Sequence, residues 1–479
     1  MRITRERIKT FILCLLIFIG IMLTGNLWRL EGNRFPFAFN QPKDTETKQL
    51  YKAFFIPSRI VVNDGEERHW LIYPSHSREK NDFAMLWEQT VNPLMKAILE
   101  QKYPVKYEGD VSAELWEGLI ALKNFKIEFK AGLEKELLKL FFDLQKEPSQ
   151  VFASGMKQIV FSAWESFNER NIVVYIKDVN DKCHKFTVTL SNDEYKKAFN
   201  AYMQQLNSAS NKPRYLTFGE QKITRVGNNM LVSPEIMIAQ GKNLLCLKYP
   251  QINFLNEFEG IDVGKVDGAS EMAEKLLGED KDNYRRYIDT SGMVSFIHLN
   301  NKRIFRVYPD GFVECFSSRI DAANEKTDIG QAYIAAIDFI YRYGGIPDGI
   351  YPFLSKHYYD GKNSYTFEFD YFVEGLPVIT SRPYRETDMI KSAIKVIVTG
   401  REVEGYLRYI KKPMAGKVNS VNVDTITALN RFVSQNTAIK DTALANVMLA
   451  YDASQPEGFP FWFFVYRGDN LYRVDAVKK

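Results

Sequence analysis

The sequence predicts an α+β protein: a single N-terminal transmembrane helix followed by a multidomain extracytoplasmic region of small antiparallel sheets with packed helices. Three observations lead to this expectation. Residues Thr10 to Trp28 form an unbroken apolar run. Beyond them, short β-type stretches alternate with turn dipeptides. Between these lie segments whose apolar residues recur with the helical period.

The run TFILCLLIFIGIMLTGNLW carries no ionisable side chain except the thiol of Cys14. At about 1.5 Å per residue its helix is roughly 28 Å long, close to the ~30 Å hydrocarbon core of a bilayer. Trp28 falls where an indole favours the membrane boundary. Arg2, Arg5, Arg7 and Lys9 precede the run against a single acid, Glu6, and set its direction. Residues 1–9 are expected to stay in the cytoplasm as a tail, with the bulk of the chain extracytoplasmic. A cleaved signal peptide is the competing reading. Its apolar run is usually ~7–15 residues long with an A-x-A-like exit, whereas this one leaves through MLTGNLWRLEG. The expectation is therefore a single-pass cell-membrane protein anchored by residues 10–28. Within the span, Gly20 and Thr24 share a helical face with Ile17 and Leu27 nearby. Small residues at this spacing let a second helix approach closely in lipid, which makes these four the candidate partner-binding face. The plain alternative is that small residues occur in such spans by chance.

The 479-residue chain has a formal charge of +4, and the first nine residues carry most of it. The near-neutral remainder gives no reason to expect nucleic acid. An aromatic content of 14% suits sheets with half-buried faces. Cys183, Cys246 and Cys315 follow the anchor, an odd number without a C-x-x-C pair. They are expected to be small buried hydrophobes rather than a disulfide framework.

Residues 29–47 read as a polar, proline-punctuated connector. An N-terminal extracytoplasmic α+β domain is expected over residues 48–212. It opens with a β-type stretch, Ala53 to Val62, interrupted by Pro57, then a turn at Asp64-Gly65 and a strand from Arg68 to Tyr73. Helices are expected at Phe83–Gln101, Glu134–Gln145 and Asp193–Gln205, and a hairpin joins Ile172–Ile176 to Lys185–Leu190 about Asn180-Asp181. Residues 213–325 read as a strand-rich middle domain with one helix, Ser270–Leu277. A meander closes it: Met293–Leu299, Lys302–Tyr308 and Val313–Ser317, with turns at Asn300-Asn301 and Pro309-Asp310-Gly311. Residues 326–479 read as a C-terminal helix-plus-meander domain. A helix from Gln331 to Tyr343 stops at Gly344-Gly345, and strands follow at Ser364–Phe372, Leu376–Ser381, Ile390–Val398 and Val403–Ile410. Helix Thr425–Val433 and strands Ala443–Tyr451, Phe459–Tyr466 and Leu471–Val474 then repeat the order, which suggests an internal repeat of 326–415 in 416–479.

Residue types capable of chemistry do not converge. His69, His76, His184, His298 and His357 show no metal-ligand spacing. Cys183 and His184 are neighbours on a strand and face opposite sides of it. S-x-x-K occurs at Ser77…Lys80 and Ser154…Lys157, but S-D-N and K-T-G are absent from the sequence. Glu368 and Asp370 face one side of a strand, where a solvated face is the ordinary reading and an acid–base pair the sharper one. No catalytic residue, metal or cofactor is expected, and the chain does not read as an enzyme.

Four stretches resemble the YycH (WalH) family. They are the basic start with an anchor ending in Asn26-Leu27-Trp28, the strand Phe55-Ile56-Pro57-Ser58-Arg59-Ile60-Val61, the turn Tyr308-Pro309-Asp310-Gly311, and Tyr371-Phe372-Val373-Glu374-Gly375-Leu376-Pro377-Val378. The last is similar also to the relative YycI. The resemblance implies a membrane-anchored extracytoplasmic regulator of a Gram-positive bacterium with a YycI-like C-terminal part. Members of the family associate with the sensor histidine kinase WalK, which controls cell-wall metabolism, so a WalK-like kinase and a YycI-like regulator are the implied partners. The family has no catalytic residues to carry over. The alternative is an extracytoplasmic ligand- or peptide-binding sensor module, whose pocket the Tyr/Phe-rich C-terminal sheets could furnish. A cell-wall-acting enzyme comes after it.

Overall fold

The computed structural model describes residues 51–477 apart from short stretches, the longest being 75–81, 163–169, 223–236, 318–326 and 436–443. The expected anchor, its flanking charges and the expected connector lie outside the described residues. Among those described, no helix is long and apolar enough to cross a membrane.

The first sheet is built from β1 (Arg59–Asp64), β2 (His69–Ile72), β3 (Val105–Val111), β4 (Lys123–Leu133), β5 (Met156–Ser162), β6 (Asn171–Lys177), β7 (Cys183–Thr189), β8 (Tyr215–Thr217) and β9 (Met237–Ala239). Its order is β3-β7-β6-β5-β4-β1-β2-β8-β9. The long strand β4 defines the two faces. Phe125, Ile127, Phe129 and Ala131 enter the core, while Asn124, Lys126, Glu128 and Lys130 alternate to the other side. The helices are α1 (Asn92–Leu99), entered through a π-helical segment Ala84–Val91, then α2 (Ala113–Gly118), α3 (Lys135–Phe141) and α4 (Glu194–Ser208). Pro93 stands in the first turn of α1, where its missing N–H costs nothing. Phe199 of α4 stacks on Phe125 at 4.5 Å, and Trp87 meets Phe129 and Phe141 at 5.9 and 5.5 Å. The short α2 lies on the opposite face, where Trp116 packs with Val160, Val173, Tyr175 and Cys183.

The chain continues through β10 (Lys248–Asn256), α5 (Val266–Leu277), β11 (Tyr284–Ile288), β12 (Val294–His298), β13 (Arg303–Val307), β14 (Val313–Ser317) and α6 (Ile329–Arg342). Next come β15 (Tyr351–Tyr359), β16 (Ser364–Val373), β17 (Leu376–Ile379), β18 (Arg382–Pro383), β19 (Met389–Ile390), β20 (Ile394–Thr399) and β21 (Glu402–Arg408). The last elements are β22 (Lys411–Ser420), α7 (Thr425–Gln435), β23 (Leu444–Asp452), β24 (Glu457–Gly458), β25 (Phe461–Tyr466) and β26 (Asn470–Asp475). A twelve-stranded sheet runs β11-β12-β13-β14-β21-β20-β16-β17-β23-β25-β26, with β15 beside β16. Strand β10 lies between β22 and β24 in a separate three-stranded sheet.

Mixed α+β architecture with antiparallel pairing is therefore what the chain adopts, and helices do lie across meanders. Helix α6 covers β16 and β21 through Tyr333–Phe367 (5.4 Å) and Phe339–Tyr406 (5.2 Å). Helix α7 covers β25 and β26 through Phe432–Phe464 (5.4 Å) and Phe432–Tyr472 (5.1 Å). The sheets differ from the small ones expected. Strand β17 pairs in parallel with β23, so the two meanders continue as one sheet. Joining them satisfies backbone groups that two free edges would leave unpaired. The meander before α6 also has a fourth strand, β11, ahead of the three expected. Residues 213–325 are shared out: β8 and β9 extend the first sheet, β10 enters the small one and β11–β14 join the large one.

Helix α6 starts where Asp328 Oδ1 accepts the N–H of Gln331 at 2.8 Å, an N-cap. It ends at Gly344 and Gly345, both at positive φ, where the Gly345 N–H bonds the Ile340 carbonyl at 2.9 Å. The two large sheets share one apolar cluster that runs from Tyr51 to Ala476. At its centre Phe55 stacks on Tyr333 at 4.4 Å and meets Phe141 at 5.1 Å. Its neighbour Phe54 meets Phe369 at 5.1 Å.

Candidate functional site

The residues singled out in the sequence do not gather in one place. Ile17, Gly20, Thr24 and Leu27 lie outside the described residues, as do Arg2, Arg5, Arg7 and Lys9. His76, Cys246, Ser77 and Lys80 also lie outside them. His298 packs edge-on against Tyr284 at 4.8 Å, and His357 Nε2 meets the Gly132 carbonyl at 2.6 Å. Lys157 is engaged by Asp181 at 3.0 Å. Cys183 and Cys315 are buried and in no disulfide, and burial pushes the Cys315 thiol up. Glu368 and Asp370 share a face as expected, but it is not simply solvated. Asp370 takes Lys130 of β4 at 2.8 Å, and Glu368 lies 3.7 Å from Lys395. Lys130 comes from the first sheet, whereas Lys395 is the cross-strand neighbour of Glu368 on β20. Among the described residues no group of three or more His, Cys, Asp or Glu could hold a metal ion.

His69, buried on β2, belongs to a polar chain. The Asn124 amide N–H groups donate to the carbonyls of Leu119 and Leu122. This leaves Asn124 Oδ1 to accept from Asn63 Nδ2 at 2.7 Å, and Asn63 Oδ1 then faces His69 Nδ1 at 2.6 Å. His69 Nε2 meets Glu220 Oε1 at 2.9 Å, while Glu220 Oε2 accepts the Thr217 N–H at 2.7 Å. Burial alone would raise the Glu220 carboxyl. The bonds from His69 and Thr217 outweigh it and hold the group below the usual range. The chain ties β4, β1, β2 and the turn after β8 together across the sheet.

On the same face lies a cleft of about 320 Å³ between the β3–α2 corner and the β6–β7 turn. The pairing of Val111 with Cys183 brings these distant segments together. Ser112 caps α2 by accepting the Leu115 N–H at 3.2 Å, and the turn of α2 brings Trp116 down onto the sheet. Lys126 and Lys177 hold the indole from β4 and β6, at 5.9 and 5.0 Å from its ring centre. Around the rim stand Asp110, Glu117, Lys177, Asp181 and Lys182. Asp110 is engaged by the Tyr107 hydroxyl and by His184 at 2.9 Å, and both hold its carboxyl below the usual range. Sequence reasoning missed this cleft. Its one advance signal was the alternation of Asn124, Lys126, Glu128 and Lys130 on β4, which marks a polar face opposite the core.

Further along that face Glu128 is buried between Arg59 and Lys126, the latter at 3.1 Å. Burial pushes its carboxyl up, but the two cations outweigh that and bring it down to about 2. Along this stretch the charges of Arg59, Glu128 and Lys126 are paired with one another.

No family model matches the sequence, and no curated protein does. Among solved structures, the crystal structure of YycH from Bacillus subtilis superposes with a TM-score of 0.53, covering 88% of this chain and 96% of that one at 16% identity. The chain has the YycH fold. Three of the stretches that resemble the family can be located in that fold, and each forms a joint. Phe55 sits between the two large sheets, as described above. In the YycH fold of this chain, Tyr308-Pro309-Asp310-Gly311 is the β13–β14 turn. Arg382 bonds Asp310 at 2.5 and 3.3 Å and lies 4.1 Å over Phe312, while Lys411 Nζ reaches the Asp310 carbonyl at 2.5 Å. Gly311 is at φ +85°, and a Cβ there would meet Asn256 at 3.3 Å. Glu374 and Gly375, both at positive φ, make the two-residue turn between β16 and β17.

Proposed function

We propose that this chain is a membrane-anchored extracytoplasmic regulator of a WalK-like sensor histidine kinase, in a two-component system controlling cell-wall metabolism. It acts by protein–protein contact through its transmembrane helix and its ectodomain, with a YycI-like regulator as second partner in the membrane. The observation that carries this reading is a YycH fold shared over 88% of the chain, in a sequence that opens with a basic tail and an apolar run of bilayer length. In this reading the signal passes through the span or the exterior. Ile17, Gly20, Thr24 and Leu27 are the face proposed to meet the kinase helices. Bound regulator biases the kinase between two states by the difference in its affinity for them.

The test is co-purification from native membranes after mild crosslinking, comparing the intact chain with one whose span is replaced by an unrelated apolar helix. Recovery of a histidine kinase with the intact chain, lost on replacement, is the expected result. Recovery with both chains would move the contact to the exterior. Recovery with neither would overturn the regulator reading.

A further inference from the structure

We infer that the cleft between α2 and the β6–β7 turn binds a small zwitterion of the amino-acid or dipeptide class, with its carboxylate on Lys177 and Lys182 and its ammonium on Glu117. This goes beyond the regulator reading and does not depend on it. Two of the rim charges are already engaged. Asp110 is occupied by Tyr107 and His184, and Asp181 by Lys157. Among the described residues, Lys177 and Glu117 have no ion-pair partner, and Lys182 acts on Asp110 only at longer range.

The uncompensated charges come from two different elements of the cleft wall. Lys177 and Lys182 come from the end of β6 and the following turn, and Glu117 from α2. A simple anion would meet Lys177 but face Glu117 as a like charge. A simple cation would have the converse difficulty. A molecule carrying both charges satisfies both elements at once. Val111, Ala113, Trp116 and Cys183 complete the lining and give a short aliphatic side chain an apolar surface. The volume, about 320 Å³, lies at the small end of ligand pockets and excludes a long polymer from full enclosure. Lys177 is also held in place before binding, since its ammonium lies 5.0 Å from the Trp116 ring centre and the ring is itself buried. Fixing the side chain in advance reduces the ordering cost of binding.

The experiment is isothermal titration calorimetry on the full chain in lipid nanodiscs, with three probes: L-alanyl-L-alanine, its N-acetyl form and its C-terminal amide. Saturable binding of the free dipeptide is expected, weakened roughly tenfold or more when either end is blocked, as loss of a hydrogen bond to a charged group implies. Lys177→Gln should weaken the free dipeptide and the N-acetyl form alike. Glu117→Gln should weaken the free dipeptide while leaving the N-acetyl form unchanged. Glu117 is exposed and Lys177 only half-buried, and the far-UV spectrum and melting curve of each variant confirm folding. Absence of saturable binding at millimolar dipeptide overturns the inference. Equal binding of all three probes, or indifference to Lys177→Gln, overturns it as well. None of these outcomes bears on capture of a kinase, so the two readings fail separately.

Discussion

Among the described residues, Arg408 is the largest charged side chain buried in the interior, 1% exposed. Its guanidinium bonds Glu257 at 2.8 and 3.0 Å, the Gly345 carbonyl at 2.6 Å and the Tyr406 hydroxyl at 3.3 Å. One side chain thus links β21, the end of β10 and the stop of α6. Removing one member of such a pair leaves an uncompensated charge in a medium that solvates it poorly. Glu257→Gln is expected to cost about 3 kcal/mol in urea unfolding, and an unchanged midpoint would contradict this. Glu128 makes the corresponding prediction for pH. Its carboxyl lies at about 2 in the folded chain against an ordinary 4.5. Between those values the unfolded chain binds the extra proton, so stability rises with pH there. The contribution is fully present above pH 4.5 and is lost as pH falls through about 2. The urea midpoints of the natural chain and Glu128→Gln should therefore converge across that window. A gap of constant size down to pH 2 would refute the assignment.

At the scale of elements, helix α6 shows what a cap contributes. Asp328→Ala removes the acceptor for the Gln331 N–H and is expected to cost about 1 kcal/mol, with Asp328→Ser retaining most of the stability; urea unfolding of both variants decides it. This helix was readable in the sequence because its period, its stop at Gly344-Gly345 and its apolar face agree. The β6–β7 hairpin was readable for the same reason, since Asn180-Asp181 divides two β-type runs. Strand β4 could have been read, because Phe125, Ile127 and Phe129 alternate with lysine and glutamate, but it stands among helix-forming residues. Strand β3 had no such signal. It is an edge strand with most residues exposed, so nothing selects an apolar alternation in Val105–Val111. The cleft was hidden for a further reason: Trp116 and Lys177 meet only because β3 pairs with β7. Strand partners are chosen by packing across the sheet, which a single strand's pattern does not encode.

Over the whole molecule, the continuous apolar cluster decides how the chain unfolds. It includes Val62 and Phe125 of the first sheet and Phe369 and Trp462 of the large one, with Phe55 and Tyr333 stacked between. Two sheets that share a core lose stability together, because opening either one exposes the apolar surface of the other. The seam is reinforced by the Leu354 N–H bonding the Phe54 carbonyl at 3.2 Å and by Lys130 reaching Asp370. Residues 51–477 are therefore expected to melt in one transition that tryptophan fluorescence and far-UV circular dichroism report at the same urea concentration. Phe55→Ala should move both probes together, by about 3–5 kcal/mol for truncating a buried aromatic, whereas Phe55→Leu should cost less because it leaves a smaller cavity. Two separate transitions, with only one displaced by Phe55→Ala, would mean that the sheets are energetically independent and that the aromatic seam joins them without coupling them. If they melt as one, a contact made on either sheet changes the stability of both, and a cleft on the first sheet has a physical route to the large one.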